Sequence, residues 1–315
     1  MWQYSFLAIP VFSLLLAGCQ ATPPDNANGK IRIVSTTGMI GDAVAKIAGD
    51  RAEVSALMGP GVDPHLYKAS QGDLRKLSEA DLIFYNGLHL EGKMVEILEK
   101  VGKTKPVFAV AEGLDHSKIL QLAGQTDVHD PHIWFDVRMW ADVATYIGAS
   151  LEKHDAPHAA AYRQRAAAYR DSLLALDDWV RSELNTVPKD HRVLITAHDA
   201  FAYFGRAYEV EVRGLQGIST VSEYGLKDVS DLVSFISQRK IKAVFVESSV
   251  PTKSLEAVVE GCQKRGHKVT IGGTLYSDAM GQAGTPEGEY IGMVRANVRT
   301  IVHALTGESH AEVSR

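Results

Sequence analysis

Residues 155–185 read DAPHAAAYRQRAAAYRDSLLALDDWVRSELN. Within them Tyr162, Ala166, Tyr169, Leu173, Leu176, Val180 and Leu184 recur at intervals of three and four, the spacing of one helix face. Asp155 offers a cap and Pro157 suits a first turn. At 1.5 Å per residue, a helix from Asp155 to Asn185 is a rod of roughly 46 Å, well beyond the average globular helix. Such a rod is either a stiff backbone along two lobes or a long helix packed on one domain, and the periodicity fits both.

On either side of this rod the chain alternates short β-branched runs with helical stretches. Before it, Ile31–Thr36 reads as a strand, a helix through Ile40–Gly49 follows, and Leu82–Tyr85 and Val107–Val110 read as buried strands. After Val187-Pro188 come strands at Arg192–Thr196, Ile241–Val246 and Lys268–Ile271, with helices around Lys227–Arg239 and Ser254–Lys264. The expected fold class is α/β, with two lobes, each a mainly parallel sheet flanked by helices, joined by one long helix. A length of 315 residues fits two domains. The expected divisions are an N-terminal lobe at 30–154, the linking helix at 155–187 and a C-terminal lobe at 188–315. No internal repeat is visible by sequence identity.

The N-terminus carries a different signal. The apolar run Phe6–Leu16 is shorter than the about twenty residues a membrane-spanning helix needs, yet it fits the hydrophobic region of a secretory signal, expected at 1–18. Leu16-Ala17-Gly18-Cys19 looks like a bacterial lipobox, in which the cysteine is acylated, although no Lys or Arg precedes the run. Residues 19–29, rich in Pro, Asn and Gly, have the composition of a flexible tether. The expected location is extracytoplasmic, with lipid on Cys19 anchoring the chain to a membrane. Cys262 then stands alone, without an intramolecular disulfide, as a small buried residue near a helix end. Lys and Arg total 33 against 38 Asp and Glu, a net charge of -5 that leaves no basic surplus for a nucleic-acid partner.

Of the 12 histidines, three lie where a strand should have ended or in a Pro-rich or Gly-rich turn. His65 closes Gly59-Pro60-Gly61-Val62-Asp63-Pro64-His65, His132 lies in Asp130-Pro131-His132, and His198 follows the strand through Thr196. Asp278 follows the strand expected to end at Ile271. In open α/β sheets the loops beyond the carboxyl ends of strands form the ligand crevice. Three neutral imidazoles and a carboxylate suit a divalent transition metal. Their intervals match no local metal motif. Ligating imidazoles are oriented by carboxylates, for which Asp63, Asp130, Asp136, Asp199 and Glu247 are the nearby candidates. Glu247 stands out, because an acid ending an apolar strand needs a buried partner. Asp63 and Asp130 precede prolines and fit turns equally well.

The succession of lipobox, TTGMIGD (36–42), GPGVDPHLY (59–67), DPHIWFD (130–136), long helix, ITAHDAFAYF (195–204), VFVESSV (244–250) and LYSDAMG (275–281) resembles the metal-binding solute receptors of bacterial ABC importers, the manganese, zinc and iron lipoprotein family. The resemblance covers essentially the whole chain from Cys19. It implies one metal ion between the lobes, held by His65 and His132 from the first and His198 and Asp278 from the second, and delivery by a non-catalytic monomer to an ABC permease. Zinc-specialised members often carry a long His-rich loop before the DPH motif, whereas Asp115–Asp130 here offers only His116 and His129, which tilts the expectation to manganese, with zinc next and iron(II) after. Physical chemistry pulls the other way, since three imidazoles bind zinc more tightly than manganese. Two other readings are a secreted zinc-dependent hydrolase and a binder of a metal chelate such as haem or a siderophore. The chain has no P-loop, HExxH or GxSxG to support catalysis.

Overall fold

A computed structural model describes residues 29–122 and 128–307. The expected signal segment, Cys19 and all but the last residue of the tether lie outside the described residues. The described chain forms two four-stranded sheets, each entirely parallel. In the first half β1 (Ile31–Ser35), β2 (Ala52–Ala56), β3 (Leu82–Tyr85) and β4 (Val107–Ala109) lie side by side in the order β2-β1-β3-β4, with helices α1 (Gly38–Ala48), α2 (Gln71–Glu79) and α3 (Val95–Gly102). Helices α4 (Val137–His154) and α5 (Ala159–Leu184) follow. The second half contains β5 (Val193–His198), β6 (Glu211–Gln216), β7 (Ala243–Glu247) and β8 (Thr270–Leu275) in the order β6-β5-β7-β8, with α6 (Ala202–Tyr208), α7 (Leu226–Arg239), α8 (Lys253–Lys264) and α9 (Tyr290–Thr306). Two sheets with the same strand order arise from halves that share no visible repeat.

The central strands β5 and β7 are buried at every position, because helices cover both faces of their sheet. Alternate residues serve different cores. Ile33, Leu194 and Phe245 face a core shared by both halves, while Val34 faces a separate cluster with Leu77 and Leu98, and Ile195 and Val244 face one with Val233, Leu255 and Cys262. The shared core also takes in Val44, Trp140, Leu173, Leu176, Met293 and Val298. Each sheet thus has a private helical layer outside, and one common helical layer lies between the sheets.

This arrangement settles the role of the long helix. α5 packs on α1 and α4 from one side of the molecule and on α6 and α9 from the other. Its 26 residues span about 39 Å, less than expected. The difference lies at its start: Ala156–His158 form a 3-10 turn around Pro157, and Asp155 does not cap α5. The Asp155 carboxylate instead accepts from Tyr162 Oη (2.6 Å) and contacts His158 Nδ1 (2.9 Å). In the C-terminal third of α5 the buried Asp177 accepts from Arg138 on α4 (2.6 Å), Arg181 on its own helix (2.9 Å) and Tyr208 on α6 (3.0 Å). One carboxylate therefore clamps three helices. Among the described residues, no helix is long and apolar enough to cross a membrane.

β2 and β6, unforeseen in the sequence, are edge strands whose AEVSA and EVRGLQ lack the continuous apolar run of a central strand. β8 runs to Leu275, beyond the expected end at Ile271, and its register against β7 shifts after Val244. A bulge of this kind inserts one extra residue and re-aims the strand beyond it. Here glycines make it workable: a Cβ on Gly272 would stand 2.7 Å from Ala304 Cβ, and one on Gly273, at φ +152°, would stand 2.5 Å from Thr300 Cγ2. α9 can press on β8 only because both side chains are missing.

Candidate metal centre

His65 lies in the loop after β2. Gly61, at φ +72°, turns the chain, and Asp63 Oδ1 accepts the backbone N–H of His65 (2.8 Å). The other carboxylate oxygen, Oδ2, accepts from Thr220 Oγ1 of the second half (2.6 Å). His132 sits beyond β4 in the same Asp-Pro-His wording, and Asp130 Oδ1 likewise accepts its backbone N–H (2.9 Å). Here the same oxygen is also 2.7 Å from His132 Nδ1 and orients the ring. The loop is pinned from two sides, by Tyr203 Oη donating to the Asp130 carbonyl (2.8 Å) and Asn86 Nδ2 donating to the Pro131 carbonyl (2.9 Å).

The second half supplies one group from a strand end and one from the loop just beyond another strand. His198 is the last residue of β5, and its backbone N–H donates to Glu247 Oε1 at the end of neighbouring β7 (2.9 Å). Glu247 Oε2 lies 2.5 Å from His198 Nδ1, an ion-pair contact that turns Nε2 outward. Asp278 comes three residues after β8. Its neighbour Ser277 is held by Trp134 Nε1, which donates to the Ser277 carbonyl (3.0 Å), and by Ser249 Oγ (2.9 Å). The Trp134 ring also meets His132 edge-on, with centroids 5.3 Å apart, so one indole touches the surroundings of groups from both halves.

The structure brings His65, His132, His198 and Asp278 together, all buried, with one donor atom from each lying within 4.8 Å of the other three. His65 Nε2 and His132 Nε2 are 3.3 Å apart. Asp278 Oδ2 lies 3.3 Å from His198 Nε2 and 3.6 Å from His65 Nε2, and Asp278 Oδ1 lies 3.5 Å from His132 Nε2. A tetrahedron with metal–ligand bonds of about 2.0–2.1 Å has edges of about 3.3 Å. Both Asp278 oxygens and His198 Nε2 are buried without a hydrogen-bond partner in the protein, a cost that a bound cation removes.

The local electrostatics centre on one buried carboxylate among three imidazoles. Burial holds His65 uncharged, lowering its pKa to about 3 against the pull of Asp278. At His198 burial also favours the neutral ring, but the carboxylates of Asp278 and Glu247 outweigh it and raise the pKa well above the ordinary imidazole value. Burial pushes Asp278 up, and the facing imidazoles of His198, His132 and His65 overcome this and hold it below the ordinary carboxylate range. Asp278 is therefore an anion ringed by imidazoles.

Two of the expected orienting carboxylates, Asp130 and Glu247, reach an imidazole. Asp63 reaches the His65 backbone and Thr220 but, among the described residues, no imidazole. Asp136 turns away altogether: it caps α4, accepting from the N–H groups of Arg138 (3.1 Å) and Met139 (3.2 Å), with Arg206 3.7 Å away. The orphan amides at a helix start outcompete a distant ring for it. Asp199, part-buried and pushed up chiefly by burial, makes no hydrogen bond to an imidazole among the described residues. Sequence reading missed Trp134, Asn86, Thr220 and Gly214. A Cβ on Gly214 of β6 would stand 2.6 Å from the His198 carbonyl carbon, so β6 can flank the end of β5 only with glycine there. An isolated glycine in a strand pattern is the signal that could have found it.

A two-lobed α/β body with four buried donors converging between its halves defines the class of metal-ion receptors. The chain belongs to the zinc-uptake complex component A family (ZnuA), described as periplasmic, whose sequence model matches residues 33–304. That family consists of metal-binding components of uptake systems and not of enzymes. The chain is 49% identical to the manganese-binding lipoprotein MntA of Bacillus subtilis over 97% of this chain and 100% of MntA. Among solved structures it resembles the periplasmic zinc-binding protein TroA of Treponema pallidum, with a TM-score of 0.86 and 50% identity over 88% of this chain and 99% of TroA. It also resembles Fe(III)-bound YtgA of Chlamydia trachomatis, with a TM-score of 0.79 and 27% identity over 88% of this chain and 98% of YtgA.

Proposed function

We propose that His65, His132, His198 and Asp278 bind one divalent transition-metal ion, and that the chain, anchored outside the cytoplasm by lipid on Cys19, delivers it as a monomer to an ABC permease. The single observation that carries this reading is the convergence of four buried residues from both halves, with neither oxygen of the one carboxylate among them having a hydrogen-bond partner in the protein. Manganese is the proposed cargo, zinc its tighter competitor in vitro, and iron(II) a third candidate. MntA is named for manganese and TroA for zinc, so identity near one half to each leaves the choice to geometry and supply. Asp278, whose two oxygens have no hydrogen-bond partner in the protein, can bind through both and so raise the coordination number toward what manganese favours.

The enclosure speaks against a chelate such as haem or a siderophore, since the donor atoms crowd within 4.8 Å. Four protein donors also close the tetrahedral site that a zinc hydrolase keeps open for water. The test is elemental analysis of the chain purified from cells supplied equally with manganese, iron and zinc. About one metal ion per chain, lost in His198→Ala, supports the reading, and manganese retained in the presence of zinc supports the cargo. A chain that carries no metal and takes up none on addition ends it.

A further inference from the structure

Three consecutive residues after β3 lie in the left-handed region: Gly87 at φ +84°, Leu88 at +52° and His89 at +61°. Glycine adopts this freely, but leucine and histidine do so under strain. The turn returns the chain so that Glu91 points back at the residues where the turn begins. The Glu91 carboxylate is fully buried and accepts from Thr36 Oγ1 (2.6 Å) and the N–H groups of Asn86 (2.7 Å) and Gly87 (3.3 Å). Asn86, fixed in this way, donates through Nδ2 to the carbonyls of Gly87 (3.1 Å) and Pro131 (2.9 Å), while its Oδ1 is buried without a partner. Two strained residues and a buried orphan oxygen in one short turn are features that stability alone does not favour.

We propose that the left-handed turn Gly87–His89, locked by Glu91, is a positioning element that acts through the Asn86 amide on Pro131 and so fixes His132, setting the balance between zinc and manganese. The inference rests on the reading of His132 as a metal ligand. His132 Nε2 stands 3.3 Å from His65 Nε2 and 3.5 Å from Asp278 Oδ1, near the edge length of a tetrahedron with zinc-length bonds. Rigidity at that spacing favours the ion satisfied by four short bonds. Letting His132 drift favours an ion that takes longer bonds and more ligands, since selectivity follows cavity size, ligand number and flexibility. Among the described residues, the side-chain hydrogen bonds of Asn86 and Glu91 go to Thr36, the turn and Pro131, and none goes to a proposed ligand.

The test compares Zn2+ and Mn2+ dissociation constants of the full chain with those of Asn86→Ala, and of Glu91→Gln, which keeps the buried shape. The effect expected of an outer partner is roughly 10- to 100-fold. Asn86→Ala should weaken zinc by about 10-fold or more and manganese by much less, so that the zinc-to-manganese affinity ratio falls by about an order of magnitude, and Glu91→Gln should shift it the same way by a smaller factor. A purely structural role would lower the melting temperature and weaken both ions equally, and that result, or an unchanged ratio in both variants, overturns the proposal. A wild-type chain that binds neither ion overturns the reading of the site and this inference with it. Wild-type binding with equal losses in the variants overturns this inference alone.

Discussion

The two lobes deliver their metal-site donors by different means. In the second, His198 ends a fully buried strand, so the sheet itself fixes where it stands, and Asp278 follows another strand by three residues, with its neighbour Ser277 tied by Trp134 and Ser249. In the first, His65 and His132 ride on loops, and each must be given its place by local devices: an Asp-Pro-His turn in both, Thr220 reaching across to Asp63, and Tyr203 and Asn86 gripping the loop before His132. A donor on a strand end inherits the order of the hydrogen-bonded ladder. A loop donor requires separate bonds for each degree of freedom, which is the part that the Asp-Pro-His turns and the bonds from Thr220, Tyr203 and Asn86 play in the first lobe.

The contrast breaks first if the two lobes do not contribute jointly. His65→Ala and His198→Ala should each weaken metal binding by more than about 100-fold, above the range for outer partners, because four donors act as one closed site. Titration of each variant with zinc and a competing chelator reads this directly. Retention of near wild-type affinity by either one would show that a single lobe suffices.

The orienting carboxylates sharpen the same contrast at smaller magnitude. Asp130→Asn and Glu247→Gln should each cost roughly 10- to 100-fold in affinity, since both carboxylates contact a ligand ring. Asp63→Asn, in the same tripeptide wording as Asp130, should cost less than about 10-fold, because its carboxylate holds backbone and Thr220 but no ring. Equal losses at Asp63 and Asp130 would mean that the turn, and not ring orientation, is what the motif provides.

The α/β alternation was legible because buried parallel strands are written as apolar runs, and the seven periodic positions of residues 155–185 are all buried in α5. The same periodicity was silent about Asp177, which lies on that buried face: period reports apolar burial, whereas a buried carboxylate is defined by Arg138 and Tyr208, 39 and 31 residues away. Edge strands β2 and β6 escaped because half-covered strands keep polar residues. At the site, motif wording identified the four converging residues and spacing did not. Whether a nearby aspartate turns to a ring, a backbone or a helix start depends on chain direction after the motif, which separates Asp130 from Asp63 and Asp136.

Asp177 tests what the two halves share. Its carboxyl is held below the ordinary range, burial opposing but the bonds from Arg181, Arg138 and Tyr208 prevailing. A depressed folded-state pKa gives stability that is fully present above the unfolded value near 3.9 and is lost as pH falls through the folded value. Both arginines are partly exposed, so Asp177→Asn should cost about 2 kcal/mol at pH 7, below the usual figure for a broken fully buried pair. Melting curves should show the deficit at pH 7 shrinking below about pH 4. A deficit that grows on acidification would contradict the clamp.

The smallest effect belongs to Asp136, which closes the DPHIWFD segment that Asp130 opens and follows His132 by one turn's worth of residues. Its carboxylate serves the first amides of α4, so Asp136→Ala should cost about 1 kcal/mol in stability, the usual worth of an N-cap, and leave the dissociation constants for zinc and manganese within about twofold of wild type. Asp136→Ser, which can still cap, should recover most of the lost melting temperature. If Asp136→Ala instead weakened metal binding as much as Asp130→Asn, the first lobe would be placing His132 through the start of α4 as well as through its loop. The division between ordered strand ends and locally tied loops would then have to give way to one in which a helix terminus also carries a ligand.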